Sequence, residues 1–399
     1  MRTRALCLAP ALLVAASLTE AARAQQGPAD TLSLGISTFL ADSLERSVLL
    51  FTAAARQQPG DAGRHAWLAE AARRTRRWDL AAREARRALQ LDSCSSFGHE
   101  VLSELFNPQY EGPDTTDADS SWAHALAATR CDHRAGGAWM ALWIGALQRG
   151  DSSLERQSLS ALVETEFLTR PYQMLARWML ESAPRDAILV SNGDLDTYPA
   201  VAMQLVARVR RDVVVVNTPL LNLPWYGELL RTRYGVPLPP EGPADTVTRG
   251  EAILRLWRSL AVQGTLGRPF AFLMTSRRPE AGRLAGPYWM VDSAATLSFV
   301  DHDRVAAALE QAVRLDWAGP AVSPLDRSPI RNSLSWHPVA WVTYLAMLDC
   351  NGRIEANDVR GARERLRWTE RFLARARVAS PDAEEMLKPY REWLAAHPD

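Results

Sequence analysis

The tightest constraint on this chain lies between Ala187 and Val216. The apolar run Ala187-Ile-Leu-Val190 breaks abruptly into Ser191-Asn-Gly-Asp-Leu-Asp-Thr-Tyr-Pro199, and a second run, Val213 to Val216, breaks into Asn217-Thr-Pro219. Short apolar runs bounded by polar turns read as buried strands, and the spacing from Thr197 to Arg208 reads as a helix between them. Two strands joined across one helix pair in parallel through a right-handed crossover. Their polar carboxyl ends then share the sheet edge where α/β proteins bind ligands.

Further along, Phe270 to Thr275 reads as a third strand and Tyr288 to Val291 as a fourth, with helices over Trp225 to Tyr234 and Glu251 to Val262. The expected fold is an α/β module with a short parallel, Rossmann-like sheet. Its edge presents Asn192, Gly193, Asp194, Asp196 and Thr197 from the first loop, Asn217 from the second and Arg277 from the third, with Trp225 and Tyr226 nearby. These nine are the candidate ligand-binding residues. Asn and Asp supply hydrogen bonds, Arg277 would clamp an anion, and aromatic faces suit a sugar. The competing structural reading has Asp196 or Thr197 capping the helix, Asp194 satisfying the turn, and Trp225 and Tyr226 packing in the core.

Helical texture flanks this module. From Asp61 to Arg177 apolar residues recur at three- and four-residue spacing, including Leu68, Ala72, Trp78, Ala81, Ala85 and Ala88. Trp78-Asp-Leu-Ala81, Ala85, Ala88 and Leu91-Asp92 resemble the second helix and exit turn of a tetratricopeptide repeat; Trp139, Leu142, Ala146 and Gly150-Asp151 resemble a first helix and its turn. Asn107 to Ser121 reads as an insertion or a decayed repeat. The cluster Arg73, Arg74, Arg76, Arg77, Arg83, Arg86 and Arg87 reads as a solvated helix face. Asp301 should cap a helix reaching Val313, and a Pro-rich joint, Pro320 to Pro329, leads to helices over Val339 to Leu348 and Val359 to Arg377. The expected domains are therefore 25–180, tetratricopeptide-like; 181–300, α/β; and 301–399, helical.

Arg2, Arg4, the apolar stretch Ala5 to Leu18 and Ala22-Arg-Ala24 match a secretory signal peptide over 1–24, which makes a periplasmic or secreted protein the expectation. No second run of about 18 apolar residues follows, so a soluble mature chain is expected. In an oxidising compartment Cys94 and Cys131 are the expected bridge, with Cys350 left over. Forty-six basic residues balance 46 acidic ones, which argues against nucleic-acid binding. The single lysine, Lys388, excludes a phosphate-binding Gly-Lys loop, and no serine-hydrolase elbow, dinucleotide loop or zinc-protease helix occurs. His302, between Asp301 and Asp303, reads as part of a helix start. No catalytic, metal or cofactor set is expected.

The strand-loop block resembles the non-membrane portion of the protein O-mannosyltransferase-like membrane proteins. Gly193, Asp194, Asp196, Thr197, Tyr198, Pro199, Asp212, Asn217, Leu220, Leu221, Trp225 and Tyr226 carry it, and it continues through Arg268-Pro-Phe270 into Tyr288 to Leu297, about 185–300. Leu195 replaces that pattern's second Asn, and Ala200-Val-Ala202 its larger residues. In that family, transfer belongs to acidic residues of the multispanning half, outside the resemblance. The expectation is therefore an exported, non-catalytic binding or assembly protein, with repeats for a protein partner and the sheet edge for a glycan or sugar-phosphate-like ligand. The alternative is a carbohydrate-active enzyme or accessory subunit using Asp194 and Asp196.

Overall fold

A computed structural model describes residues 31–40, 43–108, 116–240, 247–276, 279, 281–293, 298–317, 337–376 and 381–397. The expected signal peptide and the Pro-rich joint lie outside them. The fold is mostly helical, with a small mixed sheet, and chain contacts divide it into two units, 1–138 and 139–399.

The first unit contains α1 (Thr31–Leu40), α2 (Leu44–Gln57), α3 (Ala62–Arg74), α4 (Trp78–Leu91), α5 (Ser96–Phe106) and α6 (Ala118–Cys131); the division falls within α7 (Gly136–Arg149). Consecutive helices pair as hairpins, α3 with α4 and α5 with α6. Local chemistry sets where they start. The Asp61 carboxylate accepts from the Gly63 and Arg64 amides, and Ser95 Oγ accepts from Gly98, each satisfying first-turn donors that the helix leaves unpaired. Ala81, Ala85 and Ala88 are fully buried on α4, and their small side chains let it lie close on α3. The core between the hairpins is aromatic: Trp67 stacks on Phe51 at 5.5 Å and takes Phe97 edge-on at 5.0 Å.

Cys94, just after α4, is bonded to Cys131 at the end of α6, with 5.3 Å between their Cα atoms, while Cys350 is free and buried. Much of the arginine cluster is threaded with acids. Arg73 bonds Glu70 and Glu104, Arg77 bonds Glu45, and Arg83 bonds Glu84.

The second unit opens with α8 (Ser152–Glu164) and α9 (Arg170–Ser182), which pack on α10 (Asp194–Val206), the helix between β1 (Ile188–Ser191) and β2 (Val214–Asn217). Then come a 3-10 turn (Pro219–Asn222), α11 (Pro224–Tyr234), α12 (Arg249–Val262), β3 (Phe270–Leu273), β4 (Gly282–Leu284), β5 (Tyr288–Val291) and β6 (Ser298–Val300). The chain ends with α13 (His302–Val313), α14 (His337–Glu355), α15 (Val359–Ala376) and α16 (Pro381–Ala396). Asp301 caps α13 by accepting from the Arg304 amide, as expected from its place.

The sheet order is β2-β1-β3-β5-β4-β6. β2, β1 and β3 are parallel, with Ile188 opposite Val214 and Phe270, and all their residues are buried. The wholly parallel, Rossmann-like sheet expected from the sequence does not extend further: β5 runs antiparallel to β3 and to β4, and only β6 returns to parallel, against β4. Connection length explains this. A parallel crossover needs a dozen residues or more, whereas only Ala285-Gly286-Pro287 joins β4 to β5. Gly286 turns there at φ 101°, and the Ala285 amide donates back to Tyr288 O at 3.1 Å.

The edge opposite the candidate site is pinned by Arg210 and Asp212. The Arg210 guanidinium meets the Asp212 carboxylate at 2.9 and 2.8 Å and also donates to the carbonyls of Leu180, Ala183 and Pro184. Asp212 accepts the Asp186 amide at 2.9 Å, tying the turn into β1 to the turn into β2. The Arg210 hydrogen bonds hold its carboxyl well below the usual carboxylate range. A depressed native pKa adds stability that is present above the unfolded value, ~3.9, and lost as pH falls through the native one. Asp212→Asn should thus cost ~1–3 kcal/mol at pH 7, with the gap from wild type narrowing progressively as pH falls below about 4 in urea titrations. A gap equally wide at pH 7 and pH 2 would place the effect elsewhere.

Candidate functional site

Helix α10 starts three residues earlier than its spacing alone suggests, so part of the expected first loop is its first turn. Gly193 stands at the N-cap, and Asp194 and Asp196 place negative charge where the helix dipole favours it. The two carboxylates separate. Asp194 is exposed, and Asp196 is 7% exposed, as residues two apart on a helix point to different sides. They do not form one convergent Asp-x-Asp pair.

Asp196 is tied by one oxygen. Its Oδ2 accepts from Thr275 Oγ1 at 2.5 Å and from the Asn192 amide at 3.3 Å, joining the loop after β3 to the loop after β1. Burial nevertheless pushes its carboxyl upward, against both hydrogen bonds. Asp194 is also shifted upward by the protein crowded around it, although solvent still reaches its side chain.

Thr197 and Asn217 form the joint between strands and helix. Thr197 Oγ1 donates to Gly193 O at 2.7 Å, accepts from Asn217 Nδ2 at 3.0 Å, and lies 2.6 Å from Ser191 Oγ, which also reaches Val216 O. Asn217 Oδ1 takes the Leu220 amide at 3.0 Å, and the Asn217 amide donates to the Tyr226 hydroxyl at 3.1 Å. Each polar atom of this joint is engaged inside the protein. Tyr226 is 3% exposed, with its phenol pushed up by burial, and half-buried Trp225 meets it edge-on at 5.7 Å.

The structure therefore sorts the candidates. Asn192, Asp194 and Trp225 keep solvent-facing surface; Asp196, Thr197, Asn217 and Tyr226 are buried in the framework beneath; Arg277 lies outside the described residues. Among the described residues no group of three or more His, Cys, Asp or Glu gathers at metal-ligand spacing. Sequence reasoning missed Tyr172, in the first turn of α9, which is buried, its phenol pushed up by burial and, less, by the Asp196 charge. A tyrosine beside Pro171 at a helix start carries no signal that would single it out.

Residues 172–248 match the family model of TMEM260-associated domain 2. TMEM260 is a protein O-mannosyltransferase-like membrane protein, in keeping with the resemblance carried by the strand-loop block. The matched stretch runs from the first turn of α9 through β1, α10, β2 and α11, and so contains the joint just described. No curated protein matches the chain. Among the described residues no helix is long and apolar enough to cross a membrane.

Proposed function

We propose that the chain is an exported binding or assembly protein whose sheet edge recognises a small polar ligand, while tetratricopeptide-like hairpins engage a protein partner. The observation that carries the ligand reading is a rigid floor beneath an accessible rim. The hydrogen-bonded joint of Ser191, Thr197 and Asn217 fixes the backbone from which Asn192 and Asp194 reach solvent, and preorganised polar groups bind without paying to be ordered. The hairpins α3–α4 and α5–α6, with alanines at the close approach, support the repeat reading. The disulfide supports export.

The alternative, a carbohydrate-active enzyme using Asp194 and Asp196, draws on their upward-shifted carboxyls, the mark of a general acid. Their divergence on α10 favours binding over that chemistry. The test is a thermal-shift screen of residues 25–399 against saccharides and sugar phosphates. A ligand at ~100 times its dissociation constant adds roughly 2.7 kcal/mol, which moves the midpoint by several degrees. That shift should disappear in Asp194→Ala. A shift that survives in the variant sinks the assignment to this edge, and turnover abolished by Asp194→Ala would favour the enzyme.

A further inference from the structure

We propose that Tyr172 and Asp196 line one subsite of this edge that takes a hydroxyl group of an uncharged sugar or polyol, the phenol donating to the ligand oxygen and the carboxylate accepting its proton. The inference rests on the reading of the edge as a ligand site and names the ligand class. Tyr172 is 3% exposed, and its hydroxyl has no hydrogen-bond partner among the described residues. Buried polar atoms are nearly always paired, so an orphan donor asks for an explanation. One turn earlier, Thr169 at the N-cap of α9 is 6% exposed, and its Oγ1 is orphaned as well.

Helices α9 and α10 pack against each other, with Tyr172 in the first turn of one and Asp196 in the first turn of the other. The two groups feel each other: the Asp196 charge adds to burial in pushing the Tyr172 phenol upward. Asp196 spends Oδ2 on Thr275 and the Asn192 amide, while Oδ1 accepts nothing from the described residues. The orphan hydroxyls thus stand at the start of α9, and an acceptor with no partner among the described residues stands at the start of α10, the helix packed against it.

The charge pattern selects the ligand. A phosphate or carboxylate would meet Asp194 and Asp196 with like charge, and an ammonium has no lone pair for the phenol. A hydroxyl both accepts and donates, and so matches the pair.

The test compares wild type with Tyr172→Phe, which keeps the ring and removes the orphan hydroxyl. Residues 25–399 are titrated by ligand-detected NMR with glucose, galactose, N-acetylglucosamine and myo-inositol, and with glucose 1-phosphate. The expected result is binding of at least one uncharged probe, binding of the phosphate at least tenfold weaker, and a loss of tenfold or more in Tyr172→Phe. Without ligand the variant should melt at or above the wild-type temperature, since it deletes an unpaired buried polar group. Equal affinity in Tyr172→Phe, tighter binding of the phosphate, or a lowered ligand-free melting temperature each overturns the inference. If Asp194→Ala loses binding that Tyr172→Phe retains, the edge survives as a site and this subsite does not. If no probe binds, both readings fall.

Discussion

Replacing Asp349 with alanine should destabilise the second unit by ~3–5 kcal/mol, the cost of leaving buried charge without its partner. Asp349 on α14 is fully buried, and three groups converge on its carboxylate. Arg365 Nε from α15 reaches Oδ2 at 2.7 Å, Arg353 Nε reaches the same oxygen at 3.0 Å, and His302 Nδ1 at the start of α13 reaches Oδ1 at 2.6 Å. Arg353 passes on to Asp358, which accepts the Gly361 amide, so one carboxylate ties α13, α14, α15 and the turn between the last two. The His302–Asp349 hydrogen bond is part of this network. Because the unit is large, the loss should appear as a melting shift of roughly 6–12 °C. Replacing Asp349, Arg353 and Arg365 together by apolar residues should cost less than Asp349→Ala alone. A triple variant worse than the single one would mean that the carboxylate matters for reasons other than pairing these arginines.

Loss of the Cys94–Cys131 bond is the second large effect. The bridge closes a stretch with a sequence separation of 37, and removing it should cost ~3–4 kcal/mol by the entropy of the unfolded chain. Its place explains why the effect should be local: it staples the exit of α4 to the exit of α6 across α5, all within the first unit. Calorimetry of the Cys94→Ser/Cys131→Ser variant should show a transition lowered by ~10 °C or more, while the Asp349-dependent transition stays in place. Thiol titration of residues 25–399 in guanidinium should find one reactive group before reduction, Cys350, and three after. Equal melting of the variant and wild type would remove the bridge from the account of stability.

What could be read from the sequence follows physical range. The helix start at Asp301 was legible because a cap acts within three residues, and the parallel trio β2-β1-β3 because its apolar runs end so sharply. The antiparallel half was harder. β4 and β6 are three residues long, too short for an alternating pattern to declare itself, and the usable signal was the tight turn around Gly286. In the site, Asp194 and Asp196 were legible as polar residues at a strand end, but their division into a rim group and a buried one depends on where α10 begins. Thr275 comes from an element far along the chain, and its hydrogen bond to Asp196 is a fact of packing, invisible to local spacing, as is the packing of α9, which carries Tyr172, on α10. Asp349 left a trace as a lone acid in the apolar stretch from Val339 to Leu348 and beyond, yet its partner Arg365 sits 16 residues on in the next helix.

The central claim, a ligand site at the carboxyl edge of the parallel strands, is tested most directly by hydrogen–deuterium exchange of residues 25–399, with and without the saccharide giving the largest thermal shift. The account predicts slowed exchange in peptides covering 191–197, 217–226 and 169–175, and unchanged exchange through the hairpins of the first unit. Protection confined to those hairpins, or no protection at the sheet edge, would contradict it.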